Sequence, residues 1–293
     1  MSVHFYNLRS RLGMINLPHR QEEFNLGVEE GGDAILTTEF MEQFPGSAID
    51  RFEFTLPEAL DRKKYFETIA HDSQQAIALI EDTLQEDEMQ VVVGGDHSVA
   101  FSSLSAILRR LHSHSVGYIQ VDSHPDINTI ATSPTGNFHG MWMRPFVGGF
   151  EREDINVLVP HLLKPSQVLY IGNLDLDPEE SEFIMTQGIR IISLDELRAK
   201  DGKVTAEIQK FFDTFEHIHL DIDIDGFDRS VAPATGIPAQ RGLLRGDIDQ
   251  VLSLFRTKES RSLDLVEVNP QKEGSEETIA FAQSLIADAC LEA

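Results

Sequence analysis

Four short runs in this chain set acids and histidines at spacings that could do chemistry. They are GGDHS at 94–98, DSHPD at 122–126, DIDID at 221–225 and EVNP at 267–270. In the second run Asp122, His124 and Asp126 are alternate residues, so directly after a strand their side chains face one side. Carboxylates packed that closely are costly unless a cation sits among them. Asp221, Asp223 and Asp225 repeat the problem, and His97 adds another imidazole. Together these groups suggest two divalent ions, and a donor set rich in carboxylate suits Mn²⁺ better than a thiolate-seeking metal. Two such ions about 3.5–4 Å apart share a water and make hydroxide available near neutral pH. That is machinery for metal-assisted hydrolysis, and alone it names no bond.

The runs make one site only if the fold brings them together. Each lies at the C-terminal end of a predicted strand, at 89–93, 116–121, 218–224 and 263–268. Two more strands are predicted at 168–171 and 190–194, with helices at 99–111, 179–187, 203–215, 247–256 and 276–291. Phe66, Ile69, Ser73, Ile77, Ile80 and Leu84 recur at helical steps and mark a further amphipathic helix. This alternation predicts an α/β fold, three layers of α/β/α around a mostly parallel sheet. Ligands of such sheets bind in the crevice outside the carboxyl ends of the strands, where the four runs would converge.

The first 60 residues are less legible. GVEEGG at 27–32 reads as a turn-rich loop and FEFTL at 52–56 as a short strand. Residues 123–160 form the longest irregular stretch, and loops of that length inside a compact domain are usually functional. No repeat, low-complexity tract or linker divides the chain, so a single domain over 1–293 is expected.

Composition narrows the partners. The 293 residues carry 49 Asp and Glu against 24 Lys and Arg, a formal charge of −25. Such a surplus repels phosphate backbones and anionic lipid, which argues against nucleic acid and membrane surfaces as partners. An apolar content of 41% is enough for a sizeable core. The one cysteine, Cys290, has no internal disulfide partner and reads as packing in a helix. No signal-peptide apolar region opens the sequence, and no run nears the roughly 18 apolar residues of a membrane span. A soluble, cytoplasmic protein is the expectation.

The four runs, joined by SPTGNFHGM at 133–141, DIDGFD at 223–228 and GVEEG at 27–31, resemble the ureohydrolases, and among them arginase, in order over most of the chain. The resemblance implies an arginase-like fold and a binuclear Mn²⁺ site. Its ligands would be His97, Asp122, His124, Asp126, Asp223 and Asp225. Asp122 and Asp223 would bridge the ions, with His97 and Asp126 completing one sphere and His124 and Asp225 the other. Glu267 would align a guanidinium through charge-assisted hydrogen bonds, and His139 would carry a proton to the leaving amine.

Specificity follows from the same resemblance. Asn128, Thr135 and Asn137 match positions that hold the substrate α-carboxylate, and Asp177 matches one near the α-amino group. Agmatine lacks that carboxylate, so this polar set favours L-arginine, giving L-ornithine and urea. Without the resemblance, the same Asn and Thr residues read as turn caps and His139 as a packed loop histidine. Family members are commonly trimers or hexamers, which implies a homo-oligomer.

Five departures stand out. Asp221 falls where the family usually has a small residue such as Ser, and Ser123 where Ala is typical. Arg229 replaces a Pro, QRG at 240–242 replaces a Gly-Gly pair, and Ile237 takes the Thr position of a Gly-Thr-Pro turn. The last removes a hydroxyl near the substrate's amino end, so agmatine, another guanidino acid and formiminoglutamate stay open as substrates. None removes a ligand. Two other classes also stand: a deacetylase on a related fold with a single zinc, and an arginase-like partner protein without activity, which would be expected to have lost ligands.

Overall fold

The computed structural model describes residues 2–14, 25–56, 59–172, 175–199 and 202–291. Eight strands run through it: β1 (Ser2–Arg9), β2 (Ala48–Glu53), β3 (Glu88–Gly94), β4 (Val116–Val121), β5 (Val168–Gly172), β6 (Arg190–Ser193), β7 (His217–Asp223) and β8 (Ser260–Val266). All pair in parallel, in the order β2-β1-β3-β8-β7-β4-β5-β6. A parallel sheet is covered on both faces, so its central strands read as nearly unbroken apolar runs.

Alternation along those strands sends neighbours into different cores. Val92 packs with Tyr6, Phe101 and Trp142 on one face. Val91 and Val93 pack with Phe212, Phe255 and Leu285 on the other. Helices Tyr65–Thr83 and Ala100–Arg110 supply the first core, and Lys203–Thr214, Asp249–Thr257 and Ser275–Cys290 the second. The result is the expected three layers. Cys290 lies in the second core, where burial pushes its thiol up to about 12, in keeping with a packing role.

Two strands differ from the sequence expectation. β1 was not anticipated, because polar residues interrupt its apolar pattern. Those residues are buried with partners: His4 lies 2.9 Å from both Asp50 and Glu88, and the Asn7 amide donates to Asp33 at 2.8 Å. β2 begins four residues before the expected 52–56; it is an edge strand, and its half-exposed residues give a weak signal. The 123–160 stretch holds only a short turn, Phe138–Gly140, and the brief helices Arg144–Gly148 and Glu153–Asn156. Among the described residues no helix is long and apolar enough to cross a membrane.

One feature of the strand order bears directly on chemistry. The strands that carry the four runs, β3, β8, β7 and β4, are consecutive in the middle of the sheet. Their C-terminal ends therefore lie side by side.

Candidate metal centre and substrate cleft

β3 stops at Gly94, and Asp96 caps the following turn, accepting from the Ser98 N–H at 3.0 Å and the Ser10 hydroxyl at 2.7 Å. That turn carries His97, which is buried. His97 Nδ1 lies 2.8 Å from Asp126 Oδ2, 3.1 Å from Asp223 Oδ2 and 3.2 Å from Asp122 Oδ2. It nevertheless makes no hydrogen bond. A buried nitrogen facing three carboxylate oxygens without a bond fits a cation among them.

Ligand atoms of His97, Asp122 and Asp223 lie within 4.8 Å of one another, and so do those of Asp122, His124 and Asp225. Asp122 is common to both groups. His124 Nδ1 stands 3.2 Å from Asp225 Oδ2 and 3.7 Å from Asp122 Oδ1. Asp126 joins the first group through His97. Five of the six residues singled out as ligands in the sequence thus fall into two groups that could hold metal ions, and the sixth, Asp126, stands 2.8 Å from His97.

The electrostatics point the same way. Burial, reinforced by Asp225, pushes Asp122 up to about 7 and Asp223 well above the carboxylate range. His124 rises to about 11, since burial opposes its charge but Asp225 outweighs burial. Asp225 falls to about 2, burial being outweighed by the attraction and hydrogen bonding of His124 and the Ser123 hydroxyl. Buried carboxylates and imidazoles here must share protons when no cation is present. Divalent ions would take over that role, and this donor set fits them.

Neighbouring groups hold the clusters in place, and most went unnoticed in the sequence. Gln120 donates to Asp122 Oδ2 at 2.7 Å, Ser123 Oγ to Asp225 Oδ1 at 2.8 Å and Trp142 Nε1 to Asp126 Oδ2 at 3.1 Å. Gln120 and Tyr118 stand two and four residues before Asp122 on the same face of β4, so the period-2 rule could have found them. Gly226 and Gly172 make room for Asp122. A Cβ at Gly226 would lie 2.7 Å from Asp122 Cα, and one at Gly172 would lie 2.0 Å from its carbonyl oxygen.

Among the described residues, the non-glycine positions with positive φ are Asn25 (50°), Asp126 (53°) and Glu267 (67°). All three belong to this site. Glu267 Oε1 accepts from the His97 N–H at 2.9 Å, and its Oε2 accepts from the Asn25 amide at 2.9 Å. Such backbone strain, roughly 1–3 kcal/mol per residue, persists where the surroundings fix it and gathers at functional sites.

A cleft of about 240 Å³ opens over the clusters. His97, His124, Asp126, Asp223 and Asp225 line its floor, with Glu267 and His139 beside them. Asp122 lies beneath, fully buried. His139 Nδ1 is 3.9 Å from Glu267 Oε1, and burial lowers its proton affinity below that of an ordinary histidine. Burial likewise raises Glu267, reinforced by Asp96 and Asp225.

Asn128, Thr135, Asp177 and Ile237 line the rest of the cleft. The Asn128 amide donates to Asp177 Oδ2 at 2.9 Å, while Thr135 Oγ1 accepts from the Asn137 N–H at 3.2 Å. Asn137 itself is 2% exposed and is not part of the lining. Asp177 caps helix Pro178–Gln187, and its N–H donates to Glu180 Oε2 at 3.1 Å. Glu180, pushed up to about 8 by burial, also lines the cleft. It escaped the sequence reading because paired glutamates at a helix start normally face solvent. Asn173 and Leu174 of the motif around Asp177 lie outside the described residues.

The family model described as the arginase family matches residues 11–291. An arginase of Coccidioides posadasii is 33% identical over 235 residues, covering 76% of this chain and 72% of that protein. The crystal structure of Entamoeba histolytica arginase in complex with L-ornithine has a TM-score of 0.84 at 24% identity, covering 98% of this chain and 97% of the other. A formimidoylglutamase of Bacillus subtilis shares the fold less closely, with a TM-score of 0.69 at 19% identity over 98% of this chain and 85% of its own.

Proposed function

The chain belongs to the arginase family and is an amidinohydrolase acting on C–N bonds, and from that premise we propose that it cleaves L-arginine to L-ornithine and urea with two Mn²⁺ ions. The observation that carries the reading is the pair of His/Asp clusters sharing Asp122 at the floor of a cleft that also contains Glu267 and His139. His97, Asp122, Asp126 and Asp223 would hold one ion, and Asp122, His124, Asp223 and Asp225 the other. When bound, the ions supply Lewis acidity and a nucleophile at neutral pH.

The remaining steps belong to the chain's own side chains. Glu267, held by the His97 N–H and the Asn25 amide, orients the guanidinium by charge-assisted hydrogen bonds. His139 delivers a proton to the departing amine; its lowered proton affinity makes it a ready donor once charged. Asn128, Thr135 and Asn137 recognise the α-carboxylate, and Asp177 the α-amino group. Asn137 would act from behind the lining, by fixing Thr135. We read residues 1–293 as a single domain around the one sheet, working as a cytoplasmic homo-oligomer, a trimer or hexamer.

One observation favours a different substrate within the family. Ile237 presents an apolar side chain, 51% exposed, at the cleft. An alkyl group there offers no hydrogen bond to the amino end of L-arginine. Agmatine, another guanidino acid or formiminoglutamate would lose less by that exchange. Urea release after Mn²⁺ activation, measured across L-arginine, agmatine and several guanidino acids, with formamide release from formiminoglutamate, decides the matter. L-arginine is expected to be turned over best. Urea from agmatine and none from L-arginine would overturn the assignment.

A further inference from the structure

Asp221 is the one carboxylate of the DIDID run that does not line the cleft, and it is fully buried. Its Oδ2 lies 2.9 Å from His97 Nε2 and accepts from the Tyr118 hydroxyl at 2.7 Å. In the sheet it stands opposite Gln120 of β4 and Asp264 of β8. A buried carboxylate is expensive and persists only with such partners. His97 touches it with one ring nitrogen and turns the other, Nδ1, towards Asp122, Asp126 and Asp223.

We infer that Asp221 is a positioning residue that fixes the His97 ring with its proton on Nε2 and Nδ1 aimed at the first cluster, and so tightens the cation held there. A neutral imidazole carries one proton. Placing it on Nε2, against the carboxylate, leaves the Nδ1 lone pair for the metal. A negative acceptor also makes the imidazole a stronger donor, and losing such a partner costs about 10–100-fold in metal affinity. The second cluster, with His124, has no contact with Asp221, so the effect is confined to one ion. A small residue at this position could neither reach Nε2 in the same way nor supply the charge.

The inference rests on the two-metal reading, and one titration separates the two. Trp142 is the only tryptophan; its indole donates to Asp126 Oδ2 and its ring centroid lies 5.1 Å from that of His97. Its fluorescence should therefore follow filling of the first cluster. Metal-free full-length protein is titrated with Mn²⁺ as wild type, Asp221→Asn and Asp221→Ser, with bound metal counted in parallel by equilibrium dialysis. Wild type should take up two ions. In Asp221→Ser the step reported by Trp142 should weaken about 10–100-fold while the other is unchanged. Asp221→Asn keeps the shape without the charge and should fall between. Thermal melting of the metal-free forms checks folding. Equal weakening of both steps, or none, in variants that fold as wild type overturns the inference. Failure of the wild type to bind two ions overturns the two-metal reading instead.

Discussion

His97 is buried and His139 half-buried in one cleft, and their surroundings give them different work. His97 is pressed among carboxylates, whereas His139 lies 3.9 Å from Glu267, and burial lowers its proton affinity. A proton donor to a departing amine needs that independence, because a histidine locked onto a metal has no lone pair to spare. His139→Ala should lower kcat by about 10²–10⁴-fold while leaving metal content at the wild-type level. Urea release and elemental analysis on the same preparation read both quantities. Loss of metal in this variant would show that His139 holds an ion and moves no proton. Spacing at strand ends brings out His97, Asp122, His124, Asp126, Asp221, Asp223 and Asp225, because crowded charge is visible in sequence, and the resemblance to the ureohydrolases narrows them to six ligands by setting Asp221 aside. Asn25 and Trp142 could not be singled out that way. Their roles depend on which side chain meets them across the fold, and neutral amides and indoles carry no such signature.

The strand ends that carry these residues are held to one another by backbone contact. Gly226, directly after Asp225, packs onto the backbone of Asp122 from β7 to β4, with a virtual Cβ only 2.7 Å from Asp122 Cα and 2.9 Å from its carbonyl carbon. A methyl group there meets main chain, which cannot swing aside. Gly226→Ala should cost roughly 1–3 kcal/mol by overpacking and displace Asp122, the residue both clusters share. Both ions should then bind more weakly, a result distinct from the single-ion effect expected at Asp221. Chemical denaturation and metal counting test this, and wild-type occupancy in a folded Gly226→Ala variant would refute the shared-ligand geometry. The same elements show where sequence was legible. β3, β4, β7 and β8 are buried on both faces, so they appear as apolar runs with sharp ends. β1 is equally buried, but His4 and the Asn7 amide N–H find partners 46, 84 and 26 residues away, and pairing at that range leaves no local pattern. β2, on the edge, buries too little to be periodic.

At the scale of the whole molecule, two titratable features act far from the chemistry. His217 opens β7 at the opposite end from the clusters, and burial, aided by His219, lowers it from 6.5 to about 3. The folded protein keeps it neutral, while the unfolded chain binds a proton below about 6.5. This histidine therefore contributes stability that is complete above pH 6.5 and is lost as pH falls toward 3, by at most about 1.4 kcal/mol per pH unit. His217→Gln should flatten that part of the acid limb in denaturation curves, and an unchanged slope would place the acid sensitivity elsewhere. The charge of −25 is the second feature. Residues 1–90 alone carry 18 Asp and Glu against 7 Lys and Arg. Many of these, such as Glu81, Asp82 and Glu88, sit where β3 begins. The clusters lie beyond its other end, a separation of roughly 20 Å for a strand of this length at about 3.3 Å per residue. Screening acts over about 8 Å at physiological salt and about 30 Å near 0.01 M. The distant surplus can attract a cationic guanidinium only in dilute salt, leaving acids at the cleft such as Asp175 and Asp177 to act at physiological salt. kcat/KM measured against ionic strength should rise markedly as salt falls below about 0.05 M and change little above about 0.15 M. A flat profile down to about 0.01 M would mean that the surface charge plays no part in substrate capture.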